Sequence, residues 1–207
     1  MYNQPLKLNS MSETKPEIAT NWFVITGVHE YGTRLLGNKL SREGFTVVQD
    51  GAELQEARGI EARRQLGLSV PYKAGLKLLN EQVGLENGLV HPHRSTIIFV
   101  GGVGDSLARI ALSARNVEGI EEAQAVAAYQ HGWTTRYRSV FLLDEPIEGL
   151  TLPPVARAVA VEFSKKLKEA YKETLGYQPA IVENTESLEA ASKFVKDRIT
   201  THLRISP

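Results

Sequence analysis

Apolar residues gather in five short continuous runs along the chain: Trp22–Thr26, Phe45–Val48, Thr96–Val100, Ser139–Leu143 and the weaker Ala180–Val182. Gly27, Gly44, Gly101 and Pro146 punctuate their ends. Runs that are apolar throughout, rather than at alternate positions, predict strands buried on both faces, as in a parallel sheet. The segments between them follow helical patterns. Thr33–Arg42 carries Leu35, Leu36 and Leu40 on one side, and Ala52–Leu66 is rich in good helix formers. Tyr72–Leu89 predicts a helix weakened by Gly75, Gly84 and Gly88. Asp105–Ala114 predicts a short one with Asp105 or Ser106 as N-cap, and Glu118–Tyr129 predicts another. Pro154–Leu175 gives the clearest signal, with Val155, Val159, Phe163, Leu167 and Tyr171 recurring every four residues between Pro153–Pro154 and Gly176. Leu188, Ala191, Val195 and Ile199 mark a final helix. Strands alternating with helices predict an α/β fold of three layers, a mainly parallel five-stranded sheet with helices on both faces.

Composition narrows the classes of function. The 207 residues suit one domain, read as 21–205, preceded by a polar tail over 1–20 that is expected to be disordered. Met11 is a second plausible start within that tail. Twenty-four basic residues balance 24 acidic ones, so no global field favours nucleic acid or a membrane surface. No apolar run is long enough to span a bilayer. Cysteine is absent, which removes disulfides, thiolate metal sites and thiol catalysis together. The expected location is cytoplasmic.

The turn after the first run carries the most chemistry. It reads Gly27-Val-His-Glu-Tyr-Gly32-Thr33-Arg34, with two glycines five positions apart between a strand and a helix. That is the frame of the phosphate-binding loop, Gly-x-x-x-x-Gly-Lys-Ser/Thr. In such a loop backbone N–H groups and the helix N-terminus cradle phosphate oxygens, a Lys reaches the β- and γ-phosphates, and a hydroxyl holds Mg²⁺. Here Thr33 stands in the place of the Lys and Arg34 in that of the hydroxyl. Gly27, Gly32, Thr33 and Arg34 are therefore the candidate nucleotide-binding residues, with the Lys missing. Val140–Leu143 followed by Asp144-Glu145 reads as an apolar strand ending in the acidic pair that many ATPases use for metal and water, against the plainer reading of two solvated carboxylates. His91 and His93, Arg63 and Arg64, Arg136 and Arg138, and Trp133 are read as structural or surface residues.

From about Asn21 to Ile199 the chain resembles the NadR-like AAA family of P-loop ATPases, relatives of nucleoside and nucleotide kinases. The likeness lies in Phe23-Val-Ile-Thr-Gly27, Gly44-Phe-Thr-Val-Val-Gln-Asp50, Arg138-Ser-Val-Phe-Leu-Leu143, Leu167-Lys-Glu-Ala-Tyr171 with Leu175-Gly-Tyr177, and Phe194-Val-Lys-Asp-Arg-Ile199. The resemblance implies a P-loop NTPase-like domain and places Asp50 at the substrate pocket. Family members end the third strand in Asp-Arg-Gly; here Val100, Gly101 and Gly102 follow one another, and Asp105 matches a downstream Asp. The family's phosphate-covering Arg after the fourth strand is also missing from Pro146–Pro154.

Four losses fall on charge and positioning, on which phosphoryl transfer depends. The expectation is a non-catalytic protein that binds or scaffolds a protein partner. The alternative is a weak ATP-binding kinase or ATPase in which Arg34 replaces the Lys, Asp144, Glu145 or Asp105 takes the metal role, and ATP and Mg²⁺ are the cofactors. A third reading is a module that holds another anion or small molecule between Gly27 and Gly32. No resident metal is expected.

Overall fold

The computed structural model describes residues 20–28, 30–49, 72–89, 96–113, 137–147, 154–183 and 185–204. The helices expected over 52–66 and 118–129, the tail up to residue 19, and His91, His93, Arg63, Arg64, Trp133 and Arg136 lie outside them.

The strands are β1 (Asn21–Gly27), β2 (Thr46–Gln49), β3 (Thr96–Val100), β4 (Tyr137–Leu143) and β5 (Ala180–Ile181). The helices are α1 (Glu30–Arg42), α2 (Tyr72–Gly88), α3 (Val103–Ser113), α4 (Pro154–Glu169) and α5 (Leu188–Arg204). All five strands form one parallel sheet in the order β2-β3-β1-β4-β5. Central β1 lies between β3 and β4, and the chain leaves β1 toward one edge and β4 toward the other. The crevice at the C-terminal ends of β1 and β4 is thus the place where open α/β sheets bind ligands.

Alternation along the strands splits the core in two. Trp22, Val24, Phe99, Val140 and Leu142 face α2, α3 and α4, where Leu79, Ile110 and Leu167 meet them. Phe23, Ile25, Ile98, Phe141 and Leu143 face α1 and α5, where Leu36, Leu40, Val195 and Ile199 meet them. Central strands without a polar face bury apolar surface twice over, which explains why their sequences do not alternate. Among the described residues no helix is long and apolar enough to cross a membrane.

Two irregularities redirect tyrosines into the core. Trp22 pairs with Tyr137 but Phe23 pairs with Ser139, so Arg138 is an extra residue in β4. Such a bulge reverses which face each preceding residue meets. Tyr137 would otherwise share a face with Phe141; instead it joins Val140 and Leu142 in the opposite layer. The second irregularity is at the end of α4. The four-residue spacing predicts an unbroken helix to Leu175, but Ala170–Thr174 is a π turn closed by Leu175 N–H on the Ala170 carbonyl. Turns of this kind are rare, and here the turn carries the fully buried Tyr171.

Candidate functional site

Three turns meet at the C-terminal edge of the sheet: those after β1, β3 and β4. The first departs from expectation. The pattern of Leu residues predicts a helix from Thr33, but α1 begins at Glu30, so Gly32 and Thr33 lie inside its first turns. Neither Gly27 nor Gly32 takes a positive φ. Gly27 is a glycine for reasons of packing. A Cβ there would stand 2.6 Å from the Leu143 carbonyl oxygen and 3.1 Å from Thr33 Cγ2. Val28 N–H donates to that same carbonyl at 3.2 Å, extending the β1–β4 contact beyond the strand. Thr33 is 5% exposed, and Arg34 is partly exposed one position further on.

The turn after β3 holds the densest polar network. Gly101 takes φ 82°, and its N–H donates to Ile25 O at 2.8 Å. Gly102 caps α3 and Asp105 sits at its third helical position, so Asp105 is not the N-cap. Its Oδ2 accepts the Gly102 N–H at 2.9 Å, the reach-back half of a capping box. The same carboxylate accepts the Thr26 hydroxyl at 2.6 Å and the Tyr171 hydroxyl at 2.7 Å. Burial raises the Asp105 pKa, and it outweighs the Thr26, Tyr171 and Gly102 donors and the attraction of Arg109, all of which lower it. Tyr171 is itself pushed well above the usual tyrosine range, first by burial and then by the Asp105 charge.

Tyr137 completes the network because the bulge turned it inward. Its hydroxyl donates to the fully buried Glu86 at 2.5 Å and accepts the Val103 N–H at 3.3 Å. Gln82 also donates to Glu86, and the Tyr137 N–H donates to the Tyr177 hydroxyl. Burial and then the Glu86 charge hold the Tyr137 hydroxyl well above its ordinary pKa. Thus the Gly102 and Val103 N–H groups at the start of α3, which would face an incoming anion, are satisfied from within. Gly102 and Gly104 are small because the two tyrosines stand over them: a Cβ on Gly102 would lie 2.9 Å from the Tyr171 hydroxyl and 3.0 Å from that of Tyr137. Sequence reasoning does not single out Thr26, Glu86, Tyr137 or Tyr171 for this role. The readable signal is Gly101, Gly102 and Gly104 in close succession, which marks a close approach.

After β4, Asp144 turns toward α4. The Ser164 hydroxyl donates to its Oδ1, and Lys168 Nζ binds Oδ2 at 2.6 Å. Glu145 is exposed. Burial alone would raise the Asp144 pKa, but the Lys168 and Ser164 contacts together hold it below the usual value. A depressed folded-state pKa contributes stability that is present above the ordinary aspartate value of about 3.9 and is lost as pH falls through the folded value. Asp144→Asn should therefore cost less than about 1 kcal/mol at neutral pH, since both partners are partly exposed. Urea unfolding curves of the two proteins should converge in strong acid.

The structure thus gathers Asp105 with Thr26 and Tyr171, and Asp144 with Ser164 and Lys168. Val100, at the position of the family's Asp, is 6% exposed and packs on α1: a Cβ on Gly37 would stand 2.4 Å from its Cγ2. Asp50 lies outside the described residues. Among the described residues no group of three His, Cys, Asp or Glu could hold a metal ion.

No family model matches this chain, and no curated protein matches it. A solved structure does: a deoxyadenosine kinase from M. mycoides, determined with the products dCMP and a flexible dCDP bound. The likeness covers 87% of this chain and 99% of that one, with a TM-score of 0.62 and 11% identity. The chain therefore has the fold of P-loop nucleoside kinases. The sheet order and the helices on both faces are those of that fold.

Proposed function

We propose that this chain is a P-loop kinase-fold protein that has lost phosphoryl transfer and serves as a binding or scaffold protein for a protein partner, a degenerate relative of the NadR-like ATPases. One observation carries the reading: α1 begins at Glu30, so the segment that would wrap a phosphate is partly taken up by helix. The residues agree with it. Thr33 is buried where a Lys would reach the phosphates. Asp105 already accepts three hydrogen bonds, and Asp144 is occupied by Ser164 and Lys168. A transferring phosphoryl group needs positive charge and a metal at this edge, and these side chains are committed to holding the turns together.

Ligand linkage tests the reading. A nucleotide at 100 times its dissociation constant stabilises a folded protein by about 2.7 kcal/mol. We expect the melting temperature to be unchanged by ATP with Mg²⁺, in the natural chain and in Arg34→Ala alike. A Mg²⁺-dependent rise that disappears in Arg34→Ala would replace this reading with that of an ATP-binding enzyme using Arg34.

A further inference from the structure

The π turn at the end of α4 has two registers within reach. Leu175 N–H donates to Ala170 O at 3.2 Å, five residues back, and the Tyr171 carbonyl, four residues back, accepts the Tyr177 N–H at 2.7 Å. An α-helical turn would pair Leu175 N–H with Tyr171 O and displace Tyr177 N–H from it. One residue separates the two patterns, and an α-helix turns by about 100° per residue. A change of register therefore swings the side chains on one side of the turn by about that angle against those on the other. Turns of this kind recur at functional sites. What holds the rarer register here is tertiary contact. The Tyr171 ring stands over Gly104, and its hydroxyl donates to Asp105 Oδ2 at 2.7 Å. Asp105 is itself fastened to β1 by the Thr26 hydroxyl and to the start of α3 by the Gly102 N–H.

We propose that the Tyr171 hydroxyl and the Asp105 carboxylate form a proton-operated latch, which holds Ala170–Thr174 in the π register while Asp105 is ionised. A phenol donates a stronger hydrogen bond to a carboxylate than to a neutral acid. The Tyr171 bond favours the ionised carboxyl, so a proton on Asp105 weakens that bond in return. The groups facing Asp105 are Thr26 from β1, Tyr171 from the π turn, and the Gly102 N–H and Arg109 at α3; Tyr137 from β4 and Glu86 from α2 act on Tyr171 behind it. The donors and Arg109 favour the charge, but burial outweighs them and sets the titration above the ordinary aspartate value of about 3.9. A carboxyl whose pKa is raised by folding stabilises the fold as pH falls through the folded value toward the ordinary one. Opening of the latch is thus local and distinct from acid unfolding. The chain after the turn runs through Gly176 into β5 at the sheet edge, so a change of register links the turn after β3 to that edge.

The test is amide hydrogen exchange of the full chain, followed by NMR from neutral to mildly acid pH and corrected for the intrinsic pH dependence of exchange. The Leu175 and Tyr177 N–H groups should lose about tenfold in protection as Asp105 takes up its proton, the loss of one charge-assisted bond. Tyr171→Phe keeps the ring and removes only the hydroxyl. This variant and Asp105→Asn should both show the lower protection already at neutral pH, with no further change in acid. Phe45 N–H, bonded to Leu40 O in the opposite layer, should keep its protection throughout. The scalar coupling across the hydrogen bond of Leu175 N–H should pass from the carbonyl of residue 170 to that of residue 171 as the latch opens. An equal loss at Phe45 would make the bond an ordinary part of the core. Unchanged protection in both variants, with the coupling fixed at residue 170, would leave no latch at all. Either result overturns the proposal.

Discussion

Gly104→Ala is expected to destabilise the folded chain by about 2–3 kcal/mol, through overpacking of a core that cannot yield. A Cβ at residue 104 would stand 2.5 Å from Tyr171 Cε2 and Cζ and 2.7 Å from Cε1. Those atoms belong to a rigid ring that is fully buried and anchored at its hydroxyl by Asp105. In an open helix position the same change would stabilise by up to about 1 kcal/mol, because alanine loses less backbone freedom than glycine. Here the clash is the larger effect, and the melting temperature should fall by about 4–10 °C. A double-mutant cycle with Tyr171→Leu isolates the cause. Once the ring is gone, adding Gly104→Ala should cost at least about 1 kcal/mol less than it does alone. If Gly104→Ala is neutral in the natural background, the tyrosines do not close over the turn.

The second large effect concerns the loop itself. Thr33→Lys restores the residue that a phosphate loop would carry, yet we expect it to cost about 2–3 kcal/mol and to confer no nucleotide binding, even when combined with Arg34→Ser. Thr33 is 5% exposed, and its methyl group packs where Gly27 meets β4. A lysine there must either bury its ammonium group or force the first turns of α1 apart. It would also place a positive charge near the positive end of the helix. Chemical denaturation measures the cost. A stable Thr33→Lys, Arg34→Ser protein with Mg²⁺-dependent nucleotide affinity would show that only two side chains separate this edge from a working loop.

Much of the fold is readable from the pattern of apolar residues, because strands buried on both faces leave a continuous signal. All five expected strands lie within two residues of their observed bounds, and α2 and α5 stand where their patterns place them. The order β2-β3-β1-β4-β5 is not legible from periodicity, since it depends on contacts between residues far apart in the chain. The bulge at Arg138 is hidden for the same reason: one extra residue in β4 has meaning only against its partner β1. The leucines alone misplace the start of α1, which lies before Thr33, at Glu30. Asp105 looks like an N-cap in the sequence, but its carboxylate reaches backward to Gly102 from inside the helix. The π turn leaves no trace beyond Tyr171. Gly102 and Gly104 are visible as letters, but their purpose depends on Tyr171, which is distant in sequence and stands over them.

If the edge built to hold a phosphate chain no longer accepts one, isothermal calorimetry of the full chain with ATP and Mg²⁺ should show it. No saturable heat beyond that of dilution is expected, with the protein folded throughout. A Mg²⁺-dependent isotherm with one nucleotide bound per chain, weakened by changes at Thr33 or Arg34, would contradict the loss of the site.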